Sequence, residues 1–270
     1  MSDECIHGFE VGMCASCYPK PAPEVPAVVL AQTRTRAPAR LSSAPRRTGV
    51  RGGSSRAASG SAPLDDVRQQ RAYHLTHIKN LPGILASGAI EADATPVIDL
   101  SPAGLRAERA GVEIPGAEPA QLTQFVPFFL SPNALAWQSI RAKQPHPRIA
   151  HDIVGTDPAD FVLLVVTVRQ LDDLGVDYVV SDANAERETA RFGYAPTDSE
   201  KVLRRLRAET LQEAILDADL LVRGRVPFEH IALVGVAHDK ARSAVRDILA
   251  TADFSPKVAV YPPWFAAEVV

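Results

Sequence analysis

Cysteine is scarce in this sequence. Only three cysteines occur among 270 residues, and all three lie within the first 17 positions. An odd number of cysteines, with no export signal before them, argues against a disulfide framework and for a cytoplasmic location. No apolar run reaches the roughly 18 residues that a membrane span requires, so we expect neither a membrane segment nor a membrane partner.

Several common active-site motifs are also missing. The chain contains no G-x-G-x-x-G after a strand, no G-x-x-x-x-G-K-[ST], no H-E-x-x-H and no G-x-S-x-G. Rossmann dinucleotide-binding domains, P-loop enzymes, zinc peptidases of the H-E-x-x-H type and serine hydrolases therefore lose their usual support.

Acidic residues are absent from one long stretch. Between Val25 and Leu64 there is no Asp or Glu, whereas seven arginines occur there. The surrounding residues are mainly Pro, Ala, Ser and Gly, which cannot bury enough apolar surface to fold, so we predict a disordered basic linker over residues 19–66. Its arginines either follow a phosphate backbone or belong to a plain solvated linker.

The three cysteines form a pattern of their own. Cys14 and Cys17 make a C-x-x-C pair, and Cys5 and His7 supply two more potential ligands for tetrahedral zinc. This predicts a small structural zinc knuckle over residues 1–18, with the metal supplying its folding energy. The alternative is a disordered tail with incidental thiols.

A folded domain is predicted over residues 67–270, and the stretch 73–90 is its most informative part. Alternation along a strand places His74 and Thr76 on one face and Tyr73, Leu75 and His77 on the other. A short helix should follow, with Asn80 as N-cap and Gly88 as its left-handed exit. Two polar side chains would then project from a strand that a packed helix holds in place.

The rest of the domain alternates short strands with a few helices. We predict strands over residues 125–131 (stopped by Pro132), 161–168, 178–182, 218–222, 231–236 and 258–261, and helices over 102–110, 133–142, 199–215 and 240–251. The N-cap of the first of these helices is expected at Ser101-Pro102, and the strand 161–168, apolar on both faces, should lie inside the sheet. Without regular βαβα alternation, the fold class is α+β with a mixed or antiparallel central sheet and peripheral helices.

Five blocks of the chain, in order, resemble the DarT family of NAD-dependent nucleic-acid ADP-ribosyltransferases. They are the H-x-T-H-x-x-N-L start at His74, the V-P-F-F-L-S-P block at 126–132, the strand 161–168, Ser181–Ala185, and the A-D-L-L-V stretch at 218–222 with Val226-Pro227 and Ile231. The resemblance implies an ADP-ribosyltransferase fold and transfer of ADP-ribose from NAD⁺ to a nucleobase, typically thymidine in single-stranded DNA.

The resemblance also assigns residues. It implies that His74, Thr76, Asn80 and Leu81 hold NAD⁺, and that Arg106 or Arg109 contacts the diphosphate or ribose, where a planar guanidinium suits several oxygens at once.

The catalytic carboxylate departs from the family pattern. Aligned on Val222 and Pro227, the family's glutamate falls on Asp219, which is one methylene shorter. Glu213 is the nearest glutamate, in a segment that reads as helical. Spacing favours Asp219 and side-chain length favours Glu213, and the sequence leaves the choice open.

Three functions remain in competition. The first is a toxin that modifies single-stranded DNA, most often at thymidine, and is paired with an antitoxin hydrolase that removes the ADP-ribose. The second is a catalytically impaired module that binds NAD or nucleic acid, for which Asp219 in place of glutamate would be the mark. The third is an ADP-ribosyltransferase for another acceptor, such as guanosine, RNA or protein.

Overall fold

The computed structural model describes residues 66–116, 118–208, 213–252 and 254–267. The predicted zinc knuckle, with Cys5, His7, Cys14 and Cys17, lies outside these residues, as does all of the predicted linker before Asp66. Within the described ranges no helix is both long and apolar enough to cross a membrane.

Short strands dominate the domain. In chain order they are β1 (Arg71–His77), β2 (Ala89–Glu91), β3 (Glu113–Ile114), β4 (Ala120–Gln121), β5 (Phe125–Phe129), β6 (Phe161–Thr167), β7 (Tyr178–Ser181), β8 (Phe192–Gly193), β9 (Asp219–Arg223), β10 (Arg225–Pro227), β11 (Leu233–Val236) and β12 (Lys257–Val260). Eight of them form one sheet in the order β12-β11-β6-β1-β5-β9-β7-β8. Neighbours in this sheet run antiparallel except β11 and β12, which are parallel.

Helices lie around this sheet and are mostly short. They are α1 (Leu81–Ser87), α2 (Leu105–Ala110), α3 (Leu135–Arg141), α4 (His151–Val154), α5 (Val168–Leu174), α6 (Pro196–Ala208), α7 (Glu213–Asp217) and α8 (Asp239–Leu249). The predicted α+β class with a mainly antiparallel central sheet is therefore confirmed. The helix predicted over 199–215 corresponds to α6, which begins earlier, at Pro196, whose fixed φ suits a first helical turn, and to the start of α7 at Glu213; residues 209–212 between them lie outside the described ranges.

The sheet carries apolar clusters on both faces, and β1 and β6 contribute to both. The two strands pair along their whole length, from Arg71 with Thr167 to His77 with Phe161. Tyr73 and Leu75 pack on the face that holds Trp137, whereas Ala72 packs on the opposite face. The alternation predicted for β1 is confirmed, and β6 is an interior strand because β1 and β11 flank it.

Two predicted helix caps differ from the observed ones. Gly88 ends α1 with a φ of 72°, as predicted, but the Asn80 side chain does not cap that helix. Asn80 instead bonds Thr76 Oγ1 at 3.0 Å and both backbone groups of Ile98, a pairing that spacing alone does not reveal. Helix α2 begins at Leu105 after Gly104, and Pro102 only accepts a hydrogen bond from the Leu105 N–H through its carbonyl.

Candidate active site

A cavity of about 450 Å³ opens beside the middle of the sheet. Its walls come from β1, α1, the long connection between β2 and α2, and the segment before α4. Apolar side chains form much of the lining, together with a few polar groups, which is usual for a small-molecule site of this volume. We call it the main cavity. The polar and charged residues among its lining that were predicted as site residues are His74, Thr76, Asn80, Arg106 and Arg109.

His74 is held in one tautomer. Its Nδ1 lies 2.9 Å from the carbonyl oxygen of Pro127 in β5. A carbonyl oxygen only accepts, so Nδ1 carries the hydrogen and Nε2 is left as an acceptor. Burial lowers the pKa of His74 from its ordinary value of 6.5. The ring is therefore neutral at pH 7, with an acceptor nitrogen for an amide N–H or a hydroxyl group.

Thr76 and Asn80 tie the connection between β2 and α2 to the sheet. Both side chains are buried, and the Asn80 amide bonds Thr76 Oγ1. The same amide accepts from the Ile98 N–H at 2.8 Å and donates to the Ile98 carbonyl at 2.9 Å. Because residues 94–101 line the main cavity, these bonds fix one of its walls. Asn80 thus shapes the cavity, whereas Leu81, a predicted NAD contact at the first position of α1, is fully buried in the core.

The two arginines of α2 are placed differently, although both line the main cavity. Arg109 donates through Nε to Glu186 Oε1 at 2.7 Å and through Nη1 to Ser101 Oγ at 3.3 Å, and its side chain is mostly buried. Arg106 is half exposed and donates to the Ala94 carbonyl at 3.1 Å. The guanidinium of Arg106 is the more accessible of the two to a ligand.

A smaller pocket of about 70 Å³ adjoins the main cavity. Arg106, Arg109 and Arg148 line both, and Asp219 and Glu186 line only the smaller one. We call this the side pocket, and we call Arg109, Arg148, Glu186 and Asp219 the charged cluster. In this cluster each carboxylate contacts a guanidinium.

Asp219 is the innermost member of the charged cluster. It begins β9, its side chain is about 1% exposed, and its Oδ1 accepts from Arg148 Nη1 at 3.1 Å. Its Oδ2 accepts from the Ala185 N–H at 3.1 Å. Burial raises the pKa of the Asp219 carboxyl above its ordinary value of 3.8, and Arg148 and the Ala185 N–H oppose that rise.

Arg148 links the cluster to the cavity wall. Its guanidinium also lies 3.8 Å from Glu186 Oε1, and it stacks over the ring of Phe129 at 5.5 Å. Burial alone would lower the pKa of Arg148, but the neighbouring carboxylates of Asp219 and Glu186 raise it above its usual value. Arg148 therefore stays charged.

Glu213, the second predicted candidate for the carboxylate, is placed elsewhere. It is exposed at the first position of α7, and it lines neither the main cavity nor the side pocket. The helical structure expected there is confirmed, which prevents Glu213 from sharing a strand face with Asp219.

Two members of the charged cluster were not predicted. Arg148 lies in the stretch 143–160, which has three prolines and no hydrophobic period that would single it out. Glu186 directly follows the Ser181–Ala185 block, so extending that block by one residue would have found it. Glu186 is held by its own loop, because its N–H donates to Asn184 Oδ1 at 3.0 Å.

Comparison with known proteins agrees with the fold. Residues 73–266 match the family model described as "DarT: ssDNA thymidine ADP-ribosyltransferase, DarT". A "DNA ADP-ribosyl transferase" from Thermus aquaticus is 25% identical over 205 residues, which cover 72% of this chain and 87% of that protein.

Two solved structures of the Thermus sp. 2.9 DarT protein share the architecture. The complex with ADP-ribosylated single-stranded DNA has a TM-score of 0.62 at 20% identity, covering 73% of this chain and 96% of that one. The complex with NAD⁺ has a TM-score of 0.60 at 21% identity, covering 73% and 98%. At these identities the likeness establishes a common fold.

Proposed function

The chain belongs to the DarT family of single-stranded-DNA thymidine ADP-ribosyltransferases, and we propose that its main cavity binds NAD⁺ for transfer of ADP-ribose to thymidine in single-stranded DNA. Membership makes the chain an NAD-dependent ADP-ribosyltransferase. The observation that carries the proposal is the convergence of His74, Thr76, Arg106 and Arg109 on one cavity, beside a buried cluster of carboxylates and guanidinium groups.

The groups that line the main cavity suit the different parts of NAD⁺. Apolar walls suit the nicotinamide and adenine rings, and the neutral His74 and the hydroxyl of Thr76 suit amide and ribose groups. Arg106, which is half exposed, suits the diphosphate, whose oxygens match a planar guanidinium. Related Thermus DarT structures contain NAD⁺ and ADP-ribosylated single-stranded DNA, which supports both substrates.

The reaction itself needs a carboxylate near the ribose. Breaking the bond between nicotinamide and ribose develops positive charge on the sugar, as in glycoside hydrolysis, and a carboxylate stabilises that charge. The target base must be single-stranded or turned out of a duplex, because stacking and pairing hide its ring nitrogen. The family's glutamate position is occupied here by Asp219.

A non-catalytic module that binds NAD or nucleic acid is the second candidate function. The observation in its favour is that the Asp219 side chain is buried, with Arg148 on one oxygen and the Ala185 N–H on the other. In that case NAD⁺ would bind and no product would form.

One experiment separates these functions. The protein is incubated with NAD⁺ labelled in its adenylate part and with single-stranded DNA, RNA or an unrelated protein, and the label in each acceptor is counted. Label in single-stranded DNA is the expected result. If NAD⁺ binds but no acceptor is labelled, the protein is a non-catalytic binding module. If only RNA or only protein is labelled, the protein is a transferase for that acceptor and not for single-stranded DNA.

A cellular role follows from the same proposal. Modified thymidine blocks base pairing, so expression of the active protein should arrest growth, and an ADP-ribosyl hydrolase partner should reverse the arrest. Co-expression with a hydrolase that acts on ADP-ribosylated DNA is the test. Growth arrest that persists with a catalytically dead variant would show that toxicity has another origin.

A further inference from the structure

Asp219 is poorly placed to contact a substrate directly. Its side chain is about 1% exposed, Arg148 occupies Oδ1 and the Ala185 N–H occupies Oδ2. Its backbone is fixed as well, because the Asp219 N–H donates to Ser181 Oγ at 3.1 Å and β9 pairs with β5 and β7. A ribose hydroxyl would have to reach an acid that is buried among these partners and is already one methylene short.

Glu186 is the other carboxylate of the charged cluster; Asp99 also lines the side pocket, but its side chain is about half exposed and lies 3.8 Å from Arg106. Its side chain is 17% exposed, so it reaches the pocket surface, and it contacts Arg109, which lines both the side pocket and the main cavity. Oε1 is held by Arg109 Nε at 2.7 Å, whereas Oε2 has, among the residues that the structure describes, only a 3.5 Å contact with the Asn184 amide. Oε2 therefore retains capacity to accept a strong hydrogen bond.

We propose that Glu186 is the catalytic carboxylate of the transfer reaction and that Asp219 is a positioning residue, which holds Arg148 and the loop of residues 184–186. The inference rests on the proposed transferase function. Asp219 reaches that loop through the Ala185 N–H and reaches the Arg148 guanidinium through Oδ1, and Arg148 in turn lies 3.8 Å from Glu186. The reach lost by shortening the family's glutamate to Asp219 is thus supplied by a carboxylate from the neighbouring loop.

The chemistry balances with this assignment. The C1′–N bond of NAD⁺ breaks, and its electron pair leaves with neutral nicotinamide. The Glu186 carboxylate accepts a hydrogen bond from a hydroxyl of the nicotinamide ribose and stabilises the positive charge on the sugar. The ring nitrogen of the base (N3 in thymidine, because N1 carries the deoxyribose) forms the new bond to C1′, and its proton passes to water.

The test measures kcat and KM for NAD⁺ with single-stranded DNA as acceptor, and the melting temperature of each variant. Glu186→Gln keeps the size of the side chain and removes its charge. Glu188→Gln, two residues along at an exposed position, is the matched control. We expect Glu186→Gln to lower kcat by about 100-fold, the loss typical of removing one electrostatic stabiliser, with KM changed less than about threefold. Glu188→Gln should match the wild type.

Glu186→Asp guards against misfolding, because it retains the charge and shortens the reach. A variant with the wild-type melting temperature and kcat lowered about tenfold to 100-fold supports the inference. Asp219→Asn should lower the melting temperature together with kcat, as expected of a positioning residue.

Two results would overturn the inference. One is a Glu186→Gln or Glu186→Asp protein with kcat within about threefold of the Glu188→Gln control. The other is an Asp219→Glu protein whose kcat exceeds that of the wild type, together with a Glu186→Gln protein that stays active. That pair of results would place the catalytic carboxylate at position 219. A wild-type protein that labels no acceptor and releases no nicotinamide would instead refute the proposed function, and this inference with it.

Discussion

Arg148 and Asp219 form a buried ion pair, with Nη1 and Oδ1 3.1 Å apart and side chains 8% and 1% exposed. They are 71 residues apart in sequence. Arg148 also faces Glu186 and the Phe129 ring, so one guanidinium joins the start of β9, the loop after β7 and the wall formed by β5.

The first prediction concerns the stability that this pair controls. Arg148→Gln leaves the Asp219 carboxylate buried without its charged partner, which should lower the free energy of unfolding by about 3–5 kcal/mol. Urea denaturation at pH 7 measures the change. Arg169→Gln is the control, because Arg169 pairs with Asp66 at 2.6 Å but is about half exposed, and solvent screens such surface pairs so that they contribute little to stability. Equal losses in the two variants would contradict a special role for Arg148.

The second prediction concerns the cavity wall. Asn80→Ala removes the hydrogen bonds to Thr76 and Ile98 and frees the segment that lines the main cavity. Leaving these buried groups without partners costs about 1–3 kcal/mol each, so NAD⁺ affinity should weaken by tenfold or more. Isothermal titration calorimetry measures the Kd. The neighbouring Lys79→Ala, at an exposed position, should leave the Kd unchanged, and an unaltered Kd for Asn80→Ala would show that NAD⁺ does not use this wall.

The third prediction is a pH dependence due to His74. Burial lowers its pKa below 6.5, so between 6.5 and that lowered value the unfolded chain binds a proton that the folded chain does not. His74 therefore makes the free energy of unfolding fall as the pH drops below 6.5, and it has no effect above that pH. Denaturation at pH 7.5 and pH 5.5 should show a steeper loss for the wild type than for His74→Gln. Identical losses would mean that His74 is protonated in the folded protein.

The fourth prediction concerns the N-terminal cysteines, which precede the described residues. The full chain should contain about one equivalent of zinc, and Cys14→Ala should abolish it, because each cysteine thiolate is a ligand of the predicted tetrahedral site. Metal analysis by mass spectrometry measures this. A control substitution, Ser16→Ala, should retain the metal. A wild-type chain without zinc would favour an unstructured tail with incidental thiols.

The sequence predicted local features better than long-range ones. The alternation of β1, the interior position of β6 and the turn at Gly88 follow from periodicity and from glycine's access to positive φ, and the structure confirms all three. Asn80 was expected to cap α1, yet its partner is Ile98, 18 residues later, and no local rule reports that pairing.

In the candidate site, too, residues in local motifs were predicted and residues defined by long-range contacts were not. His74, Thr76, Arg106 and Arg109 were found through motif resemblance, and they do line one cavity. Arg148 was missed because its importance lies in contacts with Glu186 and Asp219, which depend on the order of strands in the sheet. Glu186 was missed because it lies one residue beyond the Ser181–Ala185 block. Burial of Asp219 was equally invisible, since an Asp before an apolar strand is compatible with an exposed or a buried side chain.

The most direct test of thymidine modification compares two single-stranded oligonucleotides. The first contains one thymidine, and the second is identical except that cytidine replaces this thymidine. After incubation with the protein and NAD⁺, mass spectrometry records the mass of each oligonucleotide and the nicotinamide released. The transferase account predicts one added ADP-ribose unit on the thymidine oligonucleotide, one nicotinamide per product, and no change in the other. Unmodified oligonucleotides in the presence of saturating, bound NAD⁺ would contradict it.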